Sequence, residues 1–270
     1  MDFAEMTDGI PLAYEDRGSG PALLLVHGHP FDHTMWRPQI DRFSPTHRVI
    51  APDLRGYGIT PLGPRPDVTG LGDFAEDLIG LLDGLRIREC VVAGLSMGGQ
   101  IAMELHRRHP ERVRGLVLAD TFPAAETEEG KAARNAMADR LLDEGMRGYA
   151  DEVLDRMVAP YNTHAAPHVH RMMCATDPAG AAAALRGRAE RPDYRASLTT
   201  VAVPALVVVG RDDTYTPVRD AEEMHALLPH STLAVIERAA HLPNLERPEE
   251  FDSVLDSYLR LLPRSLVRPS

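Results

Sequence analysis

Residues 94–98 read Gly-Leu-Ser-Met-Gly, and a further glycine follows at Gly99. This is G-x-S-x-G, set between a run of β-formers and a helical pattern. That context calls for a tight turn that holds its serine at strained backbone angles. Gly94 and Gly98 remove Cβ atoms that would collide in the turn, and Gly99 lets the next helix approach its neighbours. Ser96 then projects its Oγ above the sheet, at the positive end of that helix. A serine hydroxyl is a poor nucleophile near neutrality, so it needs a base and a third group to orient the base. The N–H of Met97, directly after the serine, is positioned to donate to a developing oxyanion.

Two later loops offer the partners. The segment "GRDDTYTP" (210–217) carries Asp212 and Asp213, and "ERAAHLPNLERP" (237–248) carries His241. Each follows an apolar run, and the chain order Ser, Asp, His is one that doubly wound sheets use. With 12 histidines in the chain, a lone one means little. His241 stands out because it lies just after a strand pattern and before Leu242-Pro243. His164, His168 and His170 fall in a helical stretch without acidic or cysteine support, so they read as a solvated face rather than a metal site. No metal and no cofactor is expected.

These side chains need elements to hold them. Unalternating apolar runs at 22–26, 48–51, 90–93, 116–119, 205–209 and 233–236 suit strands covered on both faces. Helical patterns at 73–85, 97–108, 218–228 and 248–262 lie between or after them, three of the four stopping before a proline. The alternation predicts an α/β fold, a doubly wound and mostly parallel sheet. Residues 2–16 read as a hairpin around Asp8-Gly9, an antiparallel edge. From 122 to 198 no strand pattern occurs, and the alanine-, methionine- and arginine-rich stretches are strong helix formers. This segment is expected to be a helical cap subdomain over the carboxyl edge of a core formed by 1–121 and 199–270. Met137, Leu141, Met157, Tyr161, Met172 and Met173 would give it an apolar, adaptable lining.

Composition narrows the partners. The 270 residues carry 29 basic and 40 acidic side chains, a net charge of −11, which repels nucleic acid. No apolar run reaches the length of a membrane span. Two cysteines, far apart, and no export pattern at the start point to a cytoplasmic protein without a structural disulfide.

Together, "LLLVHGHPFDHTMW", "PDLRGYG", "GLSMGG", "GRDDTYTP" and "AAHLPNLERPEEF" resemble the α/β-hydrolase superfamily across nearly the whole chain. Within it they are similar to the esterase, lactonase and cofactor-free haloperoxidase or perhydrolase branch, with some likeness to 3-oxoadipate enol-lactonases. The family spacing G-x-x-D-x-x-x-P implies that Asp213 is the acid and Asp212 a solvated neighbour. Asp120 occupies a rarer alternative position for that acid. The family's H-G-x-P segment implies that the second oxyanion donor is the His29 backbone amide, with the His29 ring lining the pocket and His27 packing the loop. Asp53 and Arg55 read as a structural pair holding loops, and Trp36 as a packing residue of the first helix. A serine at the elbow disfavours epoxide hydrolysis. The resemblance implies a serine hydrolase of a small carboxylic ester or lactone. The alternatives are perhydrolysis, C–C bond hydrolysis on the same triad, or a non-catalytic ligand-binding homologue.

Overall fold

Period-two alternation sends successive strand side chains to opposite faces, and each face collects its own core. In a computed structural model, which describes residues 1–5, 9–63 and 67–262, eight strands form one sheet. They are β1 (Asp2–Glu5), β2 (Pro11–Arg17), β3 (Ala22–Val26), β4 (Arg48–Pro52), β5 (Cys90–Leu95), β6 (Val113–Ala119), β7 (Ala205–Gly210) and β8 (Ser231–Ile236). Their spatial order is β1-β2-β4-β3-β5-β6-β7-β8. The strands β3 to β8 pair in parallel, and β1 and β2 form the expected antiparallel edge. Asp8 of the expected turn lies outside the described residues.

The helices are α1 (Arg37–Phe43), α2 (Leu71–Gly84), α3 (Met97–Arg108), α4 (Glu128–Glu144), α5 (Met146–Met157), α6 (Ala166–Ala175), α7 (Pro178–Ala189), α8 (Arg195–Leu198), α9 (Val218–Leu227), α10 (Pro243–Glu246) and α11 (Pro248–Leu261). Leu24, Val92, Leu118 and Val207 pack with Phe74 and Leu78 of α2, Ile101 of α3 and Met224 of α9. Their neighbours Leu25, Val91, Val117 and Val208 pack on the other face with Ile40 of α1 and Phe251 and Leu255 of α11. Both faces of the sheet are covered, which is why its strands read as unbroken apolar runs. Cys90, at the start of β5, is fully buried, and burial pushes its thiol up to about 12.

Helices α4–α8 all lie between β6 and β7, with no strand among the described residues there. Ala138, Leu141, Met146, Ala181, Ala182 and Leu185 give α4, α5 and α7 a small core of their own. No helix among the described residues is long and apolar enough to cross a membrane.

One loop expectation changes. Asp53 accepts from the His33 amide and ring (2.9 and 2.7 Å) and from the Ile59 amide (3.1 Å). Arg55 instead meets Asp77 of α2 through two bonds of 2.7 and 2.5 Å. Each residue does hold a loop, but they do not pair with each other, because Asp53 points back to the β3–α1 loop while Arg55 reaches out to α2. Trp36 is fully buried, its ring 6.0 Å from that of Phe251, in the turn of 3-10 helix that leads into α1.

Candidate active site

Ser96 joins β5 to α3 at φ 57°, ψ −116°, a conformation that L side chains rarely adopt. The turn is held from several sides. The Ser96 amide donates to Ala119 O at 2.9 Å, and Thr121 Oγ1 donates to Ser96 O at 2.8 Å. A Cβ on Gly98 would sit 2.1 Å from Val26 O, so only glycine lets α3 start this close to the end of β3. A Cβ on Gly28 would stand 3.0 Å from Leu95 O and 3.2 Å from Ser96 Cβ. The loop after β3 therefore lies directly against the serine. Neither the His29 amide nor the Met97 amide meets an acceptor among the described residues.

Asp213 and His241 arrive from the ends of β7 and β8. His241 Nδ1 lies 2.7 Å from Asp213 Oδ2, and both side chains are buried. Asp213 also accepts from the amides of Tyr215 (2.7 Å) and Thr216 (3.2 Å) and from the Thr216 hydroxyl. Burial alone would raise its carboxyl. The His241 ring and these donors outweigh burial and hold Asp213 below the usual carboxylate range. An ionised Asp213 fixes the ring so that its other nitrogen, Nε2, faces away from the carboxylate.

Asp120, just after β6, shares this pocket. One oxygen or ring nitrogen each of Asp120, Asp213 and His241 lies within 4.8 Å of the others. Asp120 Oδ1 accepts from the Gly210 amide at 2.8 Å, and its amide donates to Val208 O. Burial first, and then the charge of Asp213, holds the Asp120 carboxyl well above the usual range. Of two adjacent buried carboxyls, Asp120 keeps the proton and Asp213 carries the charge. Ser96 Oγ has no partner among the described residues, but Ser96 bonds to Ala119, the residue next to Asp120.

The other candidates are placed as follows. Asp212 is exposed and accepts from the Tyr161 hydroxyl. His27 is fully buried, its Nδ1 2.8 Å from Gly28 O, and its Nε2 accepts from the Leu54 amide at 3.0 Å. His170 meets Asp151 at 2.6 Å, and His168 lies near Thr34. The chain does offer an acidic partner to His170, which the spacing of the histidines did not reveal. Met157, Met172 and Met173 pack into the core on the α1 and α11 face of the sheet, and Leu141 packs into the small core of α4, α5 and α7. Tyr161 is half exposed.

Glu246 was missed by sequence reasoning. It sits in α10 and accepts from the amides of Ala240 (2.9 Å), Leu242 (3.2 Å) and Ala159 (2.8 Å), and from Asn162 Nδ2 (2.7 Å). It therefore fastens the residues on either side of His241. An acidic residue five positions after a histidine gives no local signal of this; only the fold brings the donors in.

A doubly wound sheet with a strained serine after one strand, and a carboxylate–imidazole pair after two later strands, defines an α/β-hydrolase. The chain belongs to the alpha/beta hydrolase family, whose model matches residues 23–254, and it is a hydrolytic enzyme. It is 31% identical to a 3-oxoadipate enol-lactonase of Acinetobacter baylyi over 89% of each chain. Among solved structures it is similar to a thermophilic esterase from Thermogutta terrifontis with malate bound. That likeness has 36% identity and a TM-score of 0.93, over 96% of this chain and 98% of that one. An enol-lactonase from Burkholderia xenovorans superposes with a TM-score of 0.87 at 26% identity, over 96% and 99%.

Proposed function

We propose that the protein hydrolyses a carboxylic ester or lactone through an acyl-serine intermediate. The observation that carries this reading is the buried 2.7 Å contact between Asp213 and His241, on the loops after β7 and β8, together with a serine held at φ 57° after β5. The similar esterase and enol-lactonases favour ester and lactone carbonyls as the electrophile.

Ser96 Oγ attacks the carbonyl carbon while His241 Nε2 takes its proton. Asp213, charged, aligns the ring and stabilises the imidazolium. The negative charge moves to the carbonyl oxygen, which the amides of Met97 and His29 receive. Collapse of this intermediate expels the alcohol oxygen, which takes the proton from His241, and leaves the acyl group on Ser96. Water then attacks the acyl carbon, His241 accepts its proton, and the acid departs as Ser96 regains its hydrogen. In a lactone both products remain one molecule, a hydroxy acid. Helices α4–α8, within residues 122–198, act as a cap over the core of 1–121 and 199–270 and set the preference for substrate.

A panel of 4-nitrophenyl esters and lactones, with Ser96→Ala as the blank, tests this. Turnover by the parent chain and none by the variant is the expected result. Equal rates for the two would end the reading.

A further inference from the structure

Arg188 lies on α7 with 7% of its surface exposed. Its Nε donates to Gln100 Oε1 at 3.1 Å, and its two terminal nitrogens have no acceptor among the described residues. The charges that act on it most are those of Arg134 and Arg191, so burial and like charge both press against the guanidinium. Arg134 and Arg191 themselves pair with Glu126, which leaves Arg188 as the unmatched cation of this group. A buried guanidinium without a counter-charge is strongly unfavourable, and arginine does not escape by losing its proton.

The groups around it are donors as well. Gln100 turns its oxygen to Arg188, so its Nε2 is the end left over, and that atom is buried without a partner. Gln100 lies one turn after the elbow, its amide bonded to Ser96 O at 3.2 Å. The His29 ring contacts Tyr57 through Nδ1 at 2.8 Å, and its Nε2 is likewise buried and unpartnered. Burial, followed by the charge of Arg188, keeps this ring neutral. The tautomer in which Tyr57 donates to Nδ1 puts the proton on Nε2 and makes that atom a donor. Three separate elements, the loop after β3, α3 and α7, thus each carry a polar group left without a partner among the described residues: Gln100 bonds both Arg188 and the Ser96 carbonyl, and the charge of Arg188 acts on the His29 ring.

We infer that Arg188, with Gln100 and His29, forms an anion subsite, and that the substrate is an ester or lactone bearing a second, ionised carboxyl group. The planar guanidinium is suited to a carboxylate, which it can engage through its two free terminal nitrogens. This rests on the hydrolase reading for the reaction and goes beyond it in naming the substrate class. The carboxylate supplies the missing counter-charge only when substrate is bound, so it strengthens binding and orients the scissile carbonyl.

The test compares mono(4-nitrophenyl) glutarate with methyl 4-nitrophenyl glutarate, whose second carboxyl is capped. The parent chain should favour the free acid in kcat/KM by about tenfold or more, with glutarate a stronger competitive inhibitor than glutaramide. Arg188→Gln should shrink that preference by about tenfold or more, chiefly through KM, and Arg188→Lys should restore part of it. Equal or reversed preference in the parent chain, with glutarate no better than glutaramide, would overturn the subsite without needing any variant to fold. If neither ester is turned over, thermal denaturation with glutarate separates the two ideas. A rise in Tm in the parent chain that Arg188→Gln loses would support the subsite, and no rise would overturn it; the hydrolase reading falls only if the ester and lactone panel is not turned over either.

Discussion

The Ala159 amide donates to Glu246 Oε2 at 2.8 Å across 87 residues of sequence. Oε1 of the same carboxylate holds the amides of Ala240 and Leu242, the two neighbours of His241. One buried side chain thereby ties the segment after α5 to the loop that carries the candidate base. Glu246→Gln puts an amide NH2 where an acceptor is required and leaves buried donors unmet. It should cost about 2 kcal/mol, or roughly 4–8 °C in Tm, and lower kcat as the His241 loop loosens. Thermal denaturation with ester kinetics reads both effects; an unchanged Tm and kcat would count against the tie.

Ser96 is held in a conformation that suits glycine, so stability and reactivity oppose each other at this position. Ser96→Gly should raise stability by about 1 kcal/mol, a few degrees in Tm, and abolish ester turnover. Ser96→Ala should lose roughly 10⁴-fold or more in kcat and gain no stability, since alanine keeps the Cβ. A glycine variant less stable than the alanine variant would show that the turn carries no such strain.

Asp213 and Asp120 divide one proton and one charge between them, and their amide variants should differ accordingly. Asp213→Asn removes the charge that faces the imidazolium and stabilises the wrong ring tautomer, so kcat should fall by about 10³–10⁴-fold. Asp120→Asn replaces a neutral acid by a neutral amide at φ 43°, which asparagine tolerates, and should cost less than about tenfold. Steady-state rates for the two variants decide it. Full activity in Asp213→Asn with loss in Asp120→Asn would move the acid to the end of β6.

Asp252, on α11, is raised to about 6 by burial, against the opposing hydrogen bond from Gln39 at 2.8 Å. Between roughly pH 4 and 6 the folded chain keeps a proton there that the unfolded chain releases. Stability contributed by this group is therefore lost as pH rises through that window, and the penalty is complete above it. Asp252→Asn should raise Tm at pH 7.5, by about 1 kcal/mol of stability once solvent screening is allowed for, and the gain should vanish near pH 4. Melting curves across that range test it; a gain that persists unchanged at pH 4 would be inconsistent with titration at this carboxyl.

Much of the architecture was legible because its signals are local. The apolar runs at 22–26 and 205–209 became β3 and β7 almost residue for residue, since a strand buried on both faces must be apolar at every position. The start of β6 was read three residues late, because Arg114 and Gly115 interrupt the apolar run although the backbone already pairs there. The elbow was equally plain: a turn with no room for Cβ atoms has to be written in glycine.

What the sequence determined alone is the sheet, the strained serine, and the set of loops from which an acid and a base could come. What the tertiary structure decided is who meets whom. It joined His241 to Asp213 and seated Asp120 beside them as the protonated neighbour. It sent Arg55 to Asp77 rather than Asp53, recruited Glu246 to brace the histidine loop, and buried Arg188 without a counter-ion. Periodicity and turn chemistry depend on residues a few positions apart, whereas a charge or hydrogen-bond pair depends on how loops from different strands end up facing one another. That facing is set by packing over the whole sheet, and no short stretch of sequence encodes it.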